Sequence, residues 1–103
     1  MDIELEETPS FGRYFIPSDE ATDDVAELTF TNRDRHTMVA DHTYVPVRYR
    51  GQGVGQALVA RLVEDARDRG AKVIPVCPFV RAVAAKHPEW LDVVQNVGSS
   101  ANP

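Results

Sequence analysis

Between Val25 and Thr31 the chain alternates strictly: Ala26, Leu28 and Phe30 share one face, and Glu27, Thr29 and Thr31 share the other. That period of two predicts a half-buried strand. Residues 13–16, RYFI, predict a short strand before it, with PSDEATDD as the connecting loop. NRDR at 32–35 is a turn cluster. The next segment, roughly 36–45, alternates again, with Met38, Ala40, His42 and Tyr44 on the apparent core face and Thr37, Asp41 and Thr43 opposite. Successive half-buried strands with short connections predict an antiparallel meander.

The period changes after Gly55. In QALVARLVEDARDRG, Val59, Leu62, Val63 and Ala66 fall at i, i+3, i+4 and i+7, the apolar stripe of an amphipathic helix. Arg61, Asp65 and Arg69 stand four apart on the other face, suited to weak exposed ion pairs. Gly70 is a C-terminal stop. KVIPVC then predicts a buried strand. Residues 79–87 predict a short helix, with Pro78 in its first turn and Pro88 ending it. The order of strands, helix, strand and helix gives a mixed α+β fold.

Composition narrows the partners. A chain of 103 residues makes a single domain, 1–103, with an ordered core expected over about 11–96 and a polar tail at 97–103. The net charge of −5 argues against a nucleic-acid surface, which carries a basic face. No apolar run approaches the roughly 18 residues that span a bilayer. The acidic opening MDIELEETPS is unlike a secretory signal, so a cytoplasmic protein without membrane partners is expected. One cysteine forms no internal disulfide, and with three scattered histidines it makes no metal-site spacing. Oligomeric state leaves no mark in the sequence.

The candidate chemistry lies in RYRGQGVG, residues 48–55, where three glycines alternate with larger residues just before the helix. Unpaired N–H groups at a helix start, with the aligned peptide dipoles behind them, attract anions. Glycines let backbone approach a ligand closely. A P-loop is excluded, because Gln56 and Ala57 stand where the lysine and hydroxyl should be. A dinucleotide fingerprint fits poorly, because its third glycine falls one place early at Gly55 and the preceding strand belongs to a meander. The pattern Arg/Gln-x-x-Gly-x-Gly/Ala is matched by Arg50, Gly53 and Gly55.

That match resembles motif A of the GNAT superfamily of N-acetyltransferases, whose loop and following helix hold the pyrophosphate of acetyl-coenzyme A. The stretch HTYVPVRYRGQGVGQALVARLVEDARDRGAKVIPVCPFVRAVAAKHPEW, 42–90, is similar to the small single-domain (YjdJ-type) branch, which reads His-Thr-Glu-Val-Pro before the loop and Pro-x-Cys-Pro-Phe after the helix. The resemblance covers about half the chain. It implies a central, mostly antiparallel sheet with splayed strands, one long helix after the loop and one short C-terminal helix. It also implies an acetyl-CoA-dependent N-acetyltransferase without a metal, acting on an unidentified amine in a small molecule or a protein.

Carried onto this chain, the resemblance assigns acetyl-CoA to Arg50, Gly51, Gln52, Gly53, Val54 and Gly55, with backbone bonds to the pantetheine arm at Thr43 and Val45. The Val45 amide is the candidate that polarises the thioester carbonyl. Pro75 suits a strand that splays from its neighbour, and it equally suits an ordinary bulge. Cys77 reads two ways: a thiol near the thioester serving as nucleophile, acyl acceptor or proton donor, or a small buried hydrophobe. His42 has a suitable intrinsic pKa for a general base, although its face predicts burial. His87 is expected to complement the end of the short helix, and His36 to be solvated beside the turn. Trp90 and Phe79 are assigned to the core.

Two positions depart from the branch. Tyr44 replaces a glutamate, and Val83 replaces a common tyrosine. The expected catalytic set is therefore Cys77, His42 and Tyr44. The alternative to turnover is a non-catalytic CoA- or acyl-CoA-binding module, or acyl capture on Cys77.

Overall fold

The computed structural model describes residues 2–18 and 24–95. The tail expected at 97–103 lies outside them, as do residues 19–23 of the predicted loop. Five strands form one sheet in the order β1-β2-β3-β4-β5: β1 (Glu4–Glu7), β2 (Phe11–Phe15), β3 (Glu27–Asp34), β4 (Thr37–Tyr44) and β5 (Lys72–Pro75). The first four pair antiparallel as a meander. Helix α1 (Val54–Arg69) then crosses over, so that β5 runs parallel to β4. A short helix α2 (Pro78–Ala84) and a 3-10 turn at Pro88–Trp90 follow.

Tyr14, Leu28, Phe30, Met38 and Ala40 bury one face of the sheet against Leu58, Val59, Leu62 and Val63 of α1 and Val80 and Val83 of α2. Helix α1 is bounded by glycines in left-handed conformations, Gly53 (φ +74) and Gly70 (φ +68). At the latter, Gly70 N–H donates to Arg67 O and Ala71 N–H to Ala66 O, which fills the last carbonyls of the helix.

Three expectations are corrected here. Strand β1 precedes the ordered core expected from residue 11. Its ELEE stretch looks polar, yet Leu5 packs against the core and Glu7 turns toward α1. Strand β3 continues through Asn32 to Asp34, so the expected turn shrinks to Arg35 and His36, where Asp34 Oδ1 accepts from His36 N–H at 2.8 Å. Asn32 stays in the strand because its N–H donates to Ser10 O and its side-chain amide to Glu7.

The third correction concerns β4. Thr29 pairs with His42 while Phe30 pairs with Ala40, so Asp41 is an extra, bulged residue. The bulge reverses the alternation. Met38 and Ala40 are buried, but beyond it Thr43 and Val45 turn inward and His42 and Tyr44 are exposed. The core face predicted for His42 is wrong for this reason.

The polar face of α1 is also less solvated than its spacing suggests. Arg61 pairs with Asp65 and donates to Ile3 O, whereas Arg69 grips Glu7 through both carboxylate oxygens at 2.6 and 2.8 Å. The Arg69 guanidinium holds the Glu7 carboxyl below its usual pKa. Tyr14 donates to Asp65 Oδ2 at 2.8 Å. Burial first, and then this carboxylate, raise the Tyr14 pKa well above its ordinary value. A raised folded-state pKa means that the stabilisation is complete below about pH 10 and is lost as pH rises further. Urea midpoints are therefore expected to fall more steeply from about pH 10 to 11 in the native chain than in Tyr14→Phe; parallel curves would contradict the assignment.

Candidate functional site

The site arises where two strands part. β4 and β5 pair only from Thr37 with Lys72 to Ala40 with Pro75. Pro75, the last residue of β5, has no N–H to extend the ladder. Val76 N–H turns back to Ile74 O, and one further link, Cys77 N–H to Ala40 O at 2.9 Å, closes the apex. Beyond Ala40 the bulged half of β4 continues with β3 alone. The expected splay is therefore present.

After β4 the chain makes a single 3-10 turn at Val47–Tyr49, then reverses through Gly51 (φ +82) and Gly53 (φ +74) into α1. Side chains other than glycine are strained at such angles. Gly53 caps α1 with no side-chain hydrogen bond, and the first turn holds no acidic residue. The N–H groups of the opening turn, at Val54, Gly55 and Gln56, are thus left for a ligand or water. Arg50 Nε donates to Val45 O at 3.4 Å, which holds its guanidinium beside the loop.

Thr43, Val45, Tyr49, Arg50, Gly51, Gly53, Val54, Gly55, Gln56 and Phe79 enclose a cavity of about 370 Å³. A larger hollow of about 670 Å³ lies on the sheet face away from α1, around Phe11, Thr29 and Thr31. Its polar groups satisfy one another: Arg13 is held by Glu6 and Glu27, and Thr31 Oγ1 donates to Asp41. We take the smaller cavity as the candidate site, because there the N–H groups of the helix start and the arginine converge.

Of the eight residues expected to bind the cofactor, the cavity brings together seven; Gln52 instead donates its side-chain amide to Arg48 O at 3.0 Å. The expected catalytic residues do not line it. His42 is exposed on the strand face shared with Thr29. Tyr44 donates to Asp24 Oδ1 at 2.7 Å, and that bond raises its pKa above the ordinary phenol value. Cys77 is buried at the start of α2, its Sγ 3.5 Å from Thr43 Oγ1, so it touches the cavity wall from behind. Val83 is buried in the core cluster and does not line the cavity. His87 accompanies Glu89 and stacks on Trp90 at 4.0 Å, beyond the end of α2. Among the described residues no group of three His, Cys, Asp or Glu side chains is placed to hold a metal. No helix among them is long and apolar enough to cross a membrane.

Sequence reasoning missed Tyr49, Gln56 and Phe79. Phe79 was assigned to the core, but it is 37% exposed and lines the cavity. Its signal was available: it stands one position off the Val80, Val83, Ala84 stripe that α2 buries.

A family model described as GCN5-related N-acetyl-transferase matches residues 13–93. The NMR solution structure of a GCN5-like protein from Staphylococcus aureus is 32% identical to this chain, with a TM-score of 0.68 over 88% of this chain and 86% of that one. Among curated proteins none matches.

Proposed function

The chain belongs to the GCN5-related N-acetyltransferase family, and from that premise we propose that it uses acetyl-CoA to acetylate an amine. The observation that carries this reading is the coincidence, in one cavity, of the uncapped start of α1, Arg50 and the splayed end of β4.

When bound, acetyl-CoA supplies an activated acyl group and a thiolate leaving group. The chain's part is to hold it. The amides of Val54 to Gln56 and the α1 dipole would take the charge of the diphosphate, with Arg50 adding a formal charge. Thr43 and Val45, turned inward by the bulge, would flank the pantetheine arm. The Val45 N–H, which has no backbone partner among the described residues, would donate to the thioester oxygen as charge builds there. In the transfer an N–C bond forms and the C–S bond breaks. The amine loses a proton, and the departing thiolate is reprotonated by water or a neighbouring group.

One observation favours a second reading. None of His42, Tyr44 and Cys77 lines the cavity, so none of the expected catalytic residues stands in it. This suits a CoA- or acyl-CoA-binding module, whereas acyl capture would need the buried Cys77 thiol to reach the donor past Thr43. Incubation with radiolabelled acetyl-CoA and a broad panel of amines separates the three. Label on an amine is the expected result. Label confined to the protein and absent from Cys77→Ser would mean capture, and no transfer with intact binding would mean a binding module.

A further inference from the structure

The third glycine of the loop is explained by a neighbour rather than by its own backbone. Gly51 and Gly53 have positive φ, and a Cβ on either would meet nothing within 4 Å. Gly55 has no positive φ, but a Cβ there would lie 2.6 Å from Phe79 Cζ and 2.8 Å from Cε2. No real Cβ sits that close to a ring carbon, so Gly55 is the seat of the Phe79 ring. Pro78 opens α2, and the helix then buries Val80, Val83 and Ala84. Phe79 is thereby left with one side on α1 and another facing the cavity.

Val45, which follows β4, lines the same cavity as Phe79, which follows β5. Each splayed strand thus delivers one apolar wall, and the loop between them delivers the amides and Arg50. Apolar side chains beside an anion cradle suit a ligand with a charged end and an uncharged arm.

We infer that Phe79 is a positioning residue of this cavity: seated on Gly55, its ring supports the uncharged alkyl-amide arm of a CoA-type donor while the loop holds the diphosphate. The inference rests on the donor reading above and assigns a part of the site to a residue outside the glycine loop. It further makes Gly55 and Phe79 a single unit, because a methyl group on Gly55 acts by displacing the ring.

Calorimetry on the full chain tests it with two probes, CoA and ADP, the second carrying a diphosphate without the arm. Phe79→Ala is expected to weaken CoA by about tenfold, the scale of losing one buried aromatic contact, and to leave ADP within about twofold. Gly55→Ala should also weaken CoA, but should add nothing in a Phe79→Ala background, the signature of coupled residues. If Phe79→Ala does not fold, Phe79→Leu carries the test, with about a threefold loss expected for CoA alone. Unchanged CoA affinity in either Phe79 variant, equal losses for both probes, or a full extra loss from Gly55→Ala in the double variant would each overturn the inference. Failure of the native chain to bind CoA at all would remove the donor reading, and this inference with it.

Discussion

Gly53→Val is expected to abolish measurable binding of CoA while leaving a folded domain. At φ +74 a residue with a Cβ is held in the left-handed region, and β-branching makes that worse. The strain alone costs about 1–2 kcal/mol. A Cβ added at Gly53 meets nothing within 4 Å, so the branch projects from the loop where the helix amides begin. Binding should therefore fall by at least about a hundredfold, roughly 2.7 kcal/mol, beyond any loss from partial unfolding. Gly70→Val is the matched control. Gly70 has φ +68 and equally open surroundings, but it lies at the far end of α1. It should lose comparable stability in a thermal melt and keep its CoA affinity. Equal affinities for native and Gly53→Val protein would remove the loop from the site.

Phe30→Ala is expected to be the most damaging core substitution. Phe30 is 1% exposed, its ring lies 5.4 Å from that of Tyr14, and it fills the space over Gly12, where a Cβ would come within 2.6 Å of it. Truncating a buried phenylalanine costs about 3–5 kcal/mol, against a total of about 5–15 kcal/mol for a domain of this size. Urea unfolding should show the midpoint fall by about a fifth or more, and a loss below about 1 kcal/mol would contradict the packing described. Gly12→Val does not offer a rescue, because the Glu6 carbonyl oxygen stands 2.8 Å from the same Cβ position.

Much of the fold could be read from the sequence where one physical signal dominated. Helix α1 combines a continuous apolar stripe with glycines at both ends, so its residues and its cap were predictable together. The meander and β5 followed from alternation and from a short apolar run. The resemblance carried by Arg50, Gly53 and Gly55 pointed to the family that the comparisons identify.

Other features are set by partners distant in sequence. The side-chain phase of β4 depends on the bulge at Asp41, and a bulge is a property of two strands rather than of one. His42 and Tyr44 therefore sit on the face opposite to the one that alternation alone assigns to them. Strand β1 was missed because its inward glutamate is compensated by Arg69, sixty-two residues away. Gly55 reads from sequence as a place of close ligand approach, yet its neighbour is the ring of Phe79. In each case the missing information was the contact.

The central claim is that the cavity between the splayed strands and the start of α1 holds the acyl donor. Titrating isotopically labelled protein with acetyl-CoA, and following backbone amide resonances, tests it most directly. The largest shifts are expected at Gly51, Gly53, Val54 and Gly55, with further shifts at Thr43 and Val45. Shifts centred instead on Phe11, Thr29 and Thr31, around the larger hollow on the opposite face, or no shifts at millimolar ligand, would contradict it.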